Sequence, residues 1–147
     1  MEDKGFACQV RVRYQETDQM KVVYHANYLT WFEMGRTELI RHLGFPYSEV
    51  EKRGLYLPVV DVRITYKKPA YYDDIVTIYT RINELSAVRI GFAYEIYREA
   101  NNKDDLLVTG FSNHVWVNRD FKPVRLDKMA PDLFQLLLSL QTQPKRS

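Results

Sequence analysis

One stretch of this chain limits the fold more than any other. Between about Asn27 and Leu43, Tyr28, Phe32, Gly35 and Leu39 recur at helical spacing, flanked by Leu29, Trp31, Arg36, Ile40 and Leu43. Thr30, Glu33, Thr37 and Arg41 make the polar face. Gly44 follows at once and Pro46 lies just beyond, a strong helix stop. This helix is apolar around most of its circumference, more than a surface helix needs. Other elements must wrap it.

The rest of the chain supplies the wrapping. Cys8, Val10, Val12 and Tyr14 alternate with Gln9, Arg11 and Arg13, the two-residue period of a half-buried strand. Val60, Val62, Ile64 and Tyr66 repeat that pattern, as do Val76, Ile78 and Ile82, then Ile90, Phe92, Tyr94 and Ile96. Residues 106 to 117 read as a further strand, with Phe111, Val115 and Val117 on one side and Ser112, His114 and Trp116 on the other. Turn signals separate these runs: KKPAYYDD, NELS and EANNKDD. Four consecutive strands with short connections favour antiparallel neighbours. APDLFQLLLSLQ predicts a closing helix with Pro131 near its first turn. The order β, long α, four β, short α implies an α+β domain whose helix packs in the concavity of a sheet. An edge strand of such a sheet needs cover, and a homodimer joined edge to edge would give it.

Composition excludes several function classes. At 147 residues, with no internal repeat or Gly/Ser linker, a single domain over 1–147 is expected. No apolar run approaches the roughly 20 residues of a membrane span, and the opening MEDKGFACQV is not a secretory signal. Cys8 is the only cysteine, which excludes an internal disulfide and a Cys-based metal cluster and favours a cytoplasmic home. Three scattered histidines without ligand spacing argue against a metal site. A net charge of +2, with basic residues dispersed apart from Lys67-Lys68 and the terminal PKRS, argues against nucleic-acid binding but suits a localised anionic ligand.

The chemistry concentrates in ETDQMKVVYHANYLTWFE, residues 16 to 33. Asp18 lies in a loop that runs directly into the long helix, where backbone N–H groups lack intrahelical partners. An Asx turn or a cap would also account for an Asp there.

Together these residues resemble the hotdog-fold acyl-CoA thioesterases of the 4-hydroxybenzoyl-CoA thioesterase-like family. The resemblance is carried by RYQETDQMKVVYHANYLTWFEMGRTELIR, with Thr17-Asp18 followed by Val23-Tyr24-His25-Ala26-Asn27-Tyr28, and by YKKPAYYDDIVTIYTRI. It spans roughly residues 7 to 140. It implies an antiparallel β-sheet wrapped around a long central helix, an acyl-CoA substrate hydrolysed between subunits of a homo-oligomer (dimer or tetramer), and neither metal nor redox cofactor. The family commonly has Gly just before Val-Val-Tyr-His; here Lys21 implies either a different turn or left-handed strain of about 1 kcal/mol or more.

By the same resemblance the essential carboxylate falls on Asp18, and the carbonyl-polarising backbone N–H falls around Tyr24 and His25. The chemistry is coherent. A thioester needs an oxygen nucleophile, which a carboxylate supplies by direct attack or by activating water. It also needs stabilisation of the oxyanion, which a helix N-terminus supplies. For the His25 side chain, orienting the loop through Asp18 or a carbonyl is favoured over acting as general acid, because a thiol of pKa near 8.5 leaves readily. Tyr14 and Tyr28, with Tyr24 and Trp31, are candidates to line an acyl pocket, core packing being the alternative. Lys67, Lys68 and Arg89 are candidates for CoA phosphate contacts, ordinary surface charge being the alternative. Glu33 is a lesser catalytic candidate, explained equally by solvation or by Arg36. His42 is expected to pair with Glu38, and His114 to be a satisfied strand histidine. Rival readings are a hotdog hydratase or dehydratase, an acyl-carrier-protein thioesterase, and a non-catalytic acyl-CoA binder.

Overall fold

Gly35 fixes how the central helix meets the sheet. Helix α1 (Asn27–His42) buries Tyr28, Trp31, Phe32, Gly35, Leu39 and Ile40. A Cβ at Gly35 would stand 2.3 Å from Thr80 Oγ1, so the absence of a side chain lets the helix lie directly on the sheet. Phe32 stacks on Tyr94 at 4.1 Å with rings 4° apart. Each fully buried large side chain of this kind contributes roughly 1.5–3 kcal/mol. The helix stops as expected: Gly44 takes φ 96°, and its N–H caps the Arg41 carbonyl.

The computed structural model describes residues 5–100 and 103–141. Around α1 it folds five antiparallel strands, β1 (Phe6–Arg11), β2 (Val59–Tyr66), β3 (Ile75–Leu85), β4 (Arg89–Ala100) and β5 (Lys103–Val115). Their order in the sheet is β1-β3-β4-β5-β2. Short helices α2 (Tyr47–Lys52) and α3 (Leu126–Met129) follow α1 and β5, and α4 (Pro131–Leu140) closes the chain with Leu133 and Leu137 buried. The architecture is the α+β hotdog fold, a sheet wrapped around one central helix. The turn expected in EANNKDD falls partly on residues 101–102, outside the described residues, as does the terminal PKRS.

Three expectations need correction. The first strand ends at Arg11, not Tyr14, because its partner β3 begins at Ile75, opposite Arg11. Tyr14 instead opens a 3₁₀ turn, Tyr14–Glu16. Second, β3, β4 and β5 are sequential neighbours, but β2 crosses to the far edge beside β5. Residues 67–74 make that crossing over three strand spacings, roughly 14 Å. Third, β2 does not bury its alternating residues: Val60, Val62 and Tyr66 are 52%, 41% and 49% exposed, because the strand is a sheet edge in the single chain.

Candidate active site

Asp18 sits at the tip of a turn closed by backbone on both sides. Its N–H donates to the Val22 carbonyl at 2.9 Å, and its carbonyl accepts from Lys21 N–H at 2.9 Å. Below the tip Thr17 bridges Val23. Oδ1 accepts the Met20 N–H at 2.8 Å, an Asx turn. Oδ2 has no protein partner among the described residues. Turn-making and a free carboxylate oxygen thus coexist on one half-buried side chain. Lys21 closes the turn at φ 67°, so of the two outcomes implied by the missing glycine the chain takes left-handed strain.

The helix start lies on the same hairpin-like turn. The Tyr24 N–H donates to the Glu16 carbonyl at 2.9 Å, which removes it as a free donor. The N–H groups of His25 and Ala26 have no acceptor among the described residues, and Ala26, the residue just before α1, gives the helix no side-chain cap. The expected donor therefore narrows from Tyr24 and His25 to His25, with Ala26 beside it. The readable sign of Ala26 is an omission: Leu29 stands at the third helical position, where a Glu or Gln would reach back and consume the Ala26 N–H. The His25 imidazole makes no hydrogen bond to Asp18. It rests 4.5 Å from the Tyr24 ring and 6.4 Å from that of Tyr66, whose hydroxyl donates to the His25 carbonyl at 3.1 Å.

The crossover 67–74 forms the floor beneath this turn. Val23 N–H donates to the Ala70 carbonyl at 2.9 Å, and Val22 bridges Tyr71. Tyr28 is buried and its hydroxyl accepts the Ala70 N–H at 3.1 Å, so it ties helix to crossover and does not line an open pocket. Burial raises its phenol pKa above the usual range. Trp31 is equally core. Tyr14 is 76% exposed, edge-on to Tyr72 at 5.8 Å.

The expected cations divide. Lys67 is exposed at the end of β2. Lys68 is engaged by Asp105 at 2.7 Å, and Asp105 also accepts Arg98 at 2.8 Å. Lys68 first and Arg98 second hold the Asp105 carboxyl below its ordinary range. Arg98 further donates to Asp74 Oδ2 at 2.9 Å and to the Pro69 carbonyl at 3.0 Å, pinning the crossover. Arg89 begins β4 at its opposite end, roughly 30 Å from Arg98 by strand rise. One chain does not bring Arg89 to the Asp18 loop.

The remaining candidates resolve simply. Glu33 is exposed, and Arg36 turns to the Tyr94 hydroxyl at 3.4 Å. Glu38 pairs with Arg41 at 3.3 Å, not with His42, whose ring lies 5.1 Å from Phe6. His114 is buried, with Nε2 bonded to Ser112 Oγ at 2.7 Å and Ser112 to the Tyr94 hydroxyl at 2.6 Å. Only half of the His114 ring is satisfied: the buried Nδ1 has no hydrogen-bond partner among the described residues. Burial, reinforced by Arg36, lowers the His114 pKa to about 4. Glu16 and Arg98 escaped sequence reasoning altogether, since each looks like an ordinary charged residue until its partners are placed.

A sheet wrapped on one central helix, with a carboxylate loop at that helix's uncapped start, places the molecule among the hotdog-fold thioesterases. Comparison with known proteins gives the family. The thioesterase-like superfamily matches residues 12–135. YneP of Bacillus subtilis (strain 168), named as a candidate acyl-CoA thioesterase, is 45% identical over 125 residues, 84% of this chain and 88% of YneP. The acyl-CoA thioesterase YbgC of Haemophilus influenzae is 38% identical over 99 residues, 67% of this chain and 73% of YbgC. The crystal structure of a DHNA-CoA thioesterase from Staphylococcus aureus superposes with a TM-score of 0.85 at 37% identity, covering 96% of this chain and 95% of that one. The chain belongs to the thioesterase-like superfamily.

Proposed function

We infer that Asp18 is the carboxylate with which this enzyme hydrolyses an acyl-CoA thioester, and that the His25 N–H polarises the thioester carbonyl. The chain is a thioester hydrolase of the acyl-CoA class by its family and relatives. One observation carries the assignment of the residues: a carboxylate with one free oxygen shares a turn with a helix start whose His25 and Ala26 N–H groups are unpaired. In the reaction the free Oδ2 of Asp18 attacks the carbonyl carbon or takes a proton from an attacking water. Negative charge gathers on the carbonyl oxygen, where the donors at the positive end of α1 oppose it. The C–S bond breaks, and CoA leaves as a thiolate that requires little protonation. On the direct-attack route the acyl–Asp18 anhydride so formed is then cleaved by water, which releases the acid and restores the carboxylate.

Residues 1–147 are read as one hotdog domain, supported by a single sheet and one continuous apolar core among the described residues. The exposed apolar edge of β2, with Val59 and Val60 about half exposed, supports a homo-oligomer joined there. A single-chain mass by light scattering at micromolar concentration would count against it. Among the described residues no helix is long and apolar enough to cross a membrane, and a cytoplasmic enzyme is our assignment. Lys67 is the remaining candidate for a CoA phosphate contact.

The test is thiol release from a panel of aryl- and alkyl-CoA thioesters by wild type and Asp18→Asn. Turnover of one ester by wild type, with loss in the variant, supports the reading. Saturable binding of acyl-CoA without thiol release would replace it with a non-catalytic binder.

A further inference from the structure

Glu16 lies two residues from Asp18 yet has the opposite environment, with only 6% of its surface exposed. Both of its side-chain oxygens are consumed by donors. Oε1 accepts the Arg13 N–H at 2.8 Å, and Oε2 accepts the Trp31 indole N–H at 3.2 Å, with the Arg13 guanidinium 3.6 Å away. Its backbone carbonyl is equally occupied, accepting the Tyr24 N–H at 2.9 Å and the Asn27 side-chain N–H at 2.8 Å. Through these contacts one residue joins the end of the first strand segment, the catalytic turn and two positions of α1. The bond to Tyr24 also decides the identity of the oxyanion donor. With Tyr24 committed to Glu16, His25 is the first N–H left free at the helix start.

We propose that Glu16 is a positioning residue for thioester hydrolysis: its buried carboxylate, clamped between the Arg13 backbone and the Trp31 indole, sets which N–H faces the thioester carbonyl. This rests on the reading that His25 donates to that carbonyl. The carboxylate is required because both of its partners are N–H donors. A glutamine would present its own NH₂ to one of them, leaving two donors face to face without an acceptor in a buried position. Glu16 does not touch substrate. Its effect is on the transition state, where the developing oxyanion meets the donor, and less on binding of the ground-state ester.

The experiment compares wild type, Glu16→Gln, Trp31→Phe, the Glu16→Gln/Trp31→Phe double variant and Asp18→Asn, each checked for folding by circular dichroism. The substrate is the panel ester turned over fastest by wild type. For Glu16→Gln the expected result is a kcat lower by roughly tenfold or more with KM within about threefold. The acid limb of its pH–rate profile stays where wild type has it, because Asp18 still performs the chemistry. The double variant regains part of that loss, since the glutamine NH₂ no longer opposes the indole N–H. A folded Glu16→Gln with wild-type kcat overturns the inference, as does a loss confined to KM. Displacement of the acid limb would make Glu16 itself the titrating group and overturn it too. If Glu16→Gln does not fold, an unchanged kcat in Trp31→Phe overturns the inference and a lowered kcat at constant KM supports it. Loss in Asp18→Asn with full activity in Glu16→Gln removes this inference alone. Loss in Glu16→Gln with full activity in Asp18→Asn supports the donor geometry while striking the Asp18 reading.

Discussion

The turn around Asp18 and the polar chain beneath β4 and β5 solve opposite problems with similar residues. In the chain beneath the sheet, Arg36, the Tyr94 hydroxyl, Ser112 and His114 are linked in sequence, with Tyr94, Ser112 and His114 each no more than 1% exposed. Polar atoms there are bonded to one another except His114 Nδ1, and burial keeps the imidazole neutral. Around Asp18 the arrangement is deliberately incomplete: a lysine at φ 67°, a carboxylate with one oxygen free and a helix start without a cap. Satisfied polar groups stabilise, whereas unsatisfied ones at an accessible helix start remain available for substrate. On the assignment proposed for Asp18 and His25, the two regions separate where this molecule keeps its stability from where it keeps its reactivity.

Asp18→Asn gives the sharpest test of that contrast. The amide keeps the Asx-turn acceptor for Met20 but loses the reactive carboxylate, so kcat should fall about 10²-fold or more with the fold intact. A modest loss in thiol release would show that the turn, and not the charge, is what Asp18 contributes. Next in size is the pH response of the buried chain. The His114 pKa lies at about 4 in the folded protein against about 6.5 unfolded. Unfolding therefore takes up a proton between those values. Stability is complete above about pH 6.5 and drains by up to roughly 3 kcal/mol as pH falls toward 4. Urea titrations across that window should show the slope, and His114→Gln should flatten it. A slope that persists in the variant would assign the proton elsewhere.

Smaller effects sharpen the loop side. Lys21→Gly relieves a left-handed side chain while adding freedom to the unfolded chain, for a net gain of about 1 kcal/mol. A higher melting temperature would confirm that strain is stored at the turn, and a lower one would mean that the Lys21 side chain stabilises it. Lys68→Ala should matter least. Its ammonium is held by Asp105 in a solvent-screened surface pair, which contributes little. We expect KM to change less than twofold; a large rise in KM with constant kcat would place Lys68 on the CoA phosphates after all.

Much of this contrast was visible in the residues. The unusual apolar breadth of 27–43 demanded a wrapping sheet, and the two-residue alternations provided its strands. Asp18 stood out through its place before the helix, and Lys21 through the glycine it replaces. The network beneath the sheet was not legible, because Arg36, Tyr94, Ser112 and His114 come from three elements and meet only when α1, β4 and β5 pack. The same holds for Arg98, Asp74, Asp105 and Lys68, drawn together by the crossover 67–74. Arg89 illustrates a related point: sequence separation along a strand is physical distance, so β4 sets it at the end opposite Arg98, and within one chain it lies far from the crossover.

Apart from the short helices α2 and α3, which it did not reveal, the sequence by itself determined the period of the central helix and of the strands, the helix stop at Gly44 and the carboxylate loop at the start of α1. These are local consequences of side-chain shape, backbone freedom and hydrophobic spacing, so neighbours along the chain suffice to specify them. Only the tertiary structure decided that β2 takes the outer edge, that Tyr28 is a tie and not a pocket wall, and that Glu16 accepts the Tyr24 N–H and leaves that of His25 free. Such outcomes depend on hydrogen bonds between groups distant in sequence. Whether a donor is occupied is a property of the packed chain, not of any residue within it.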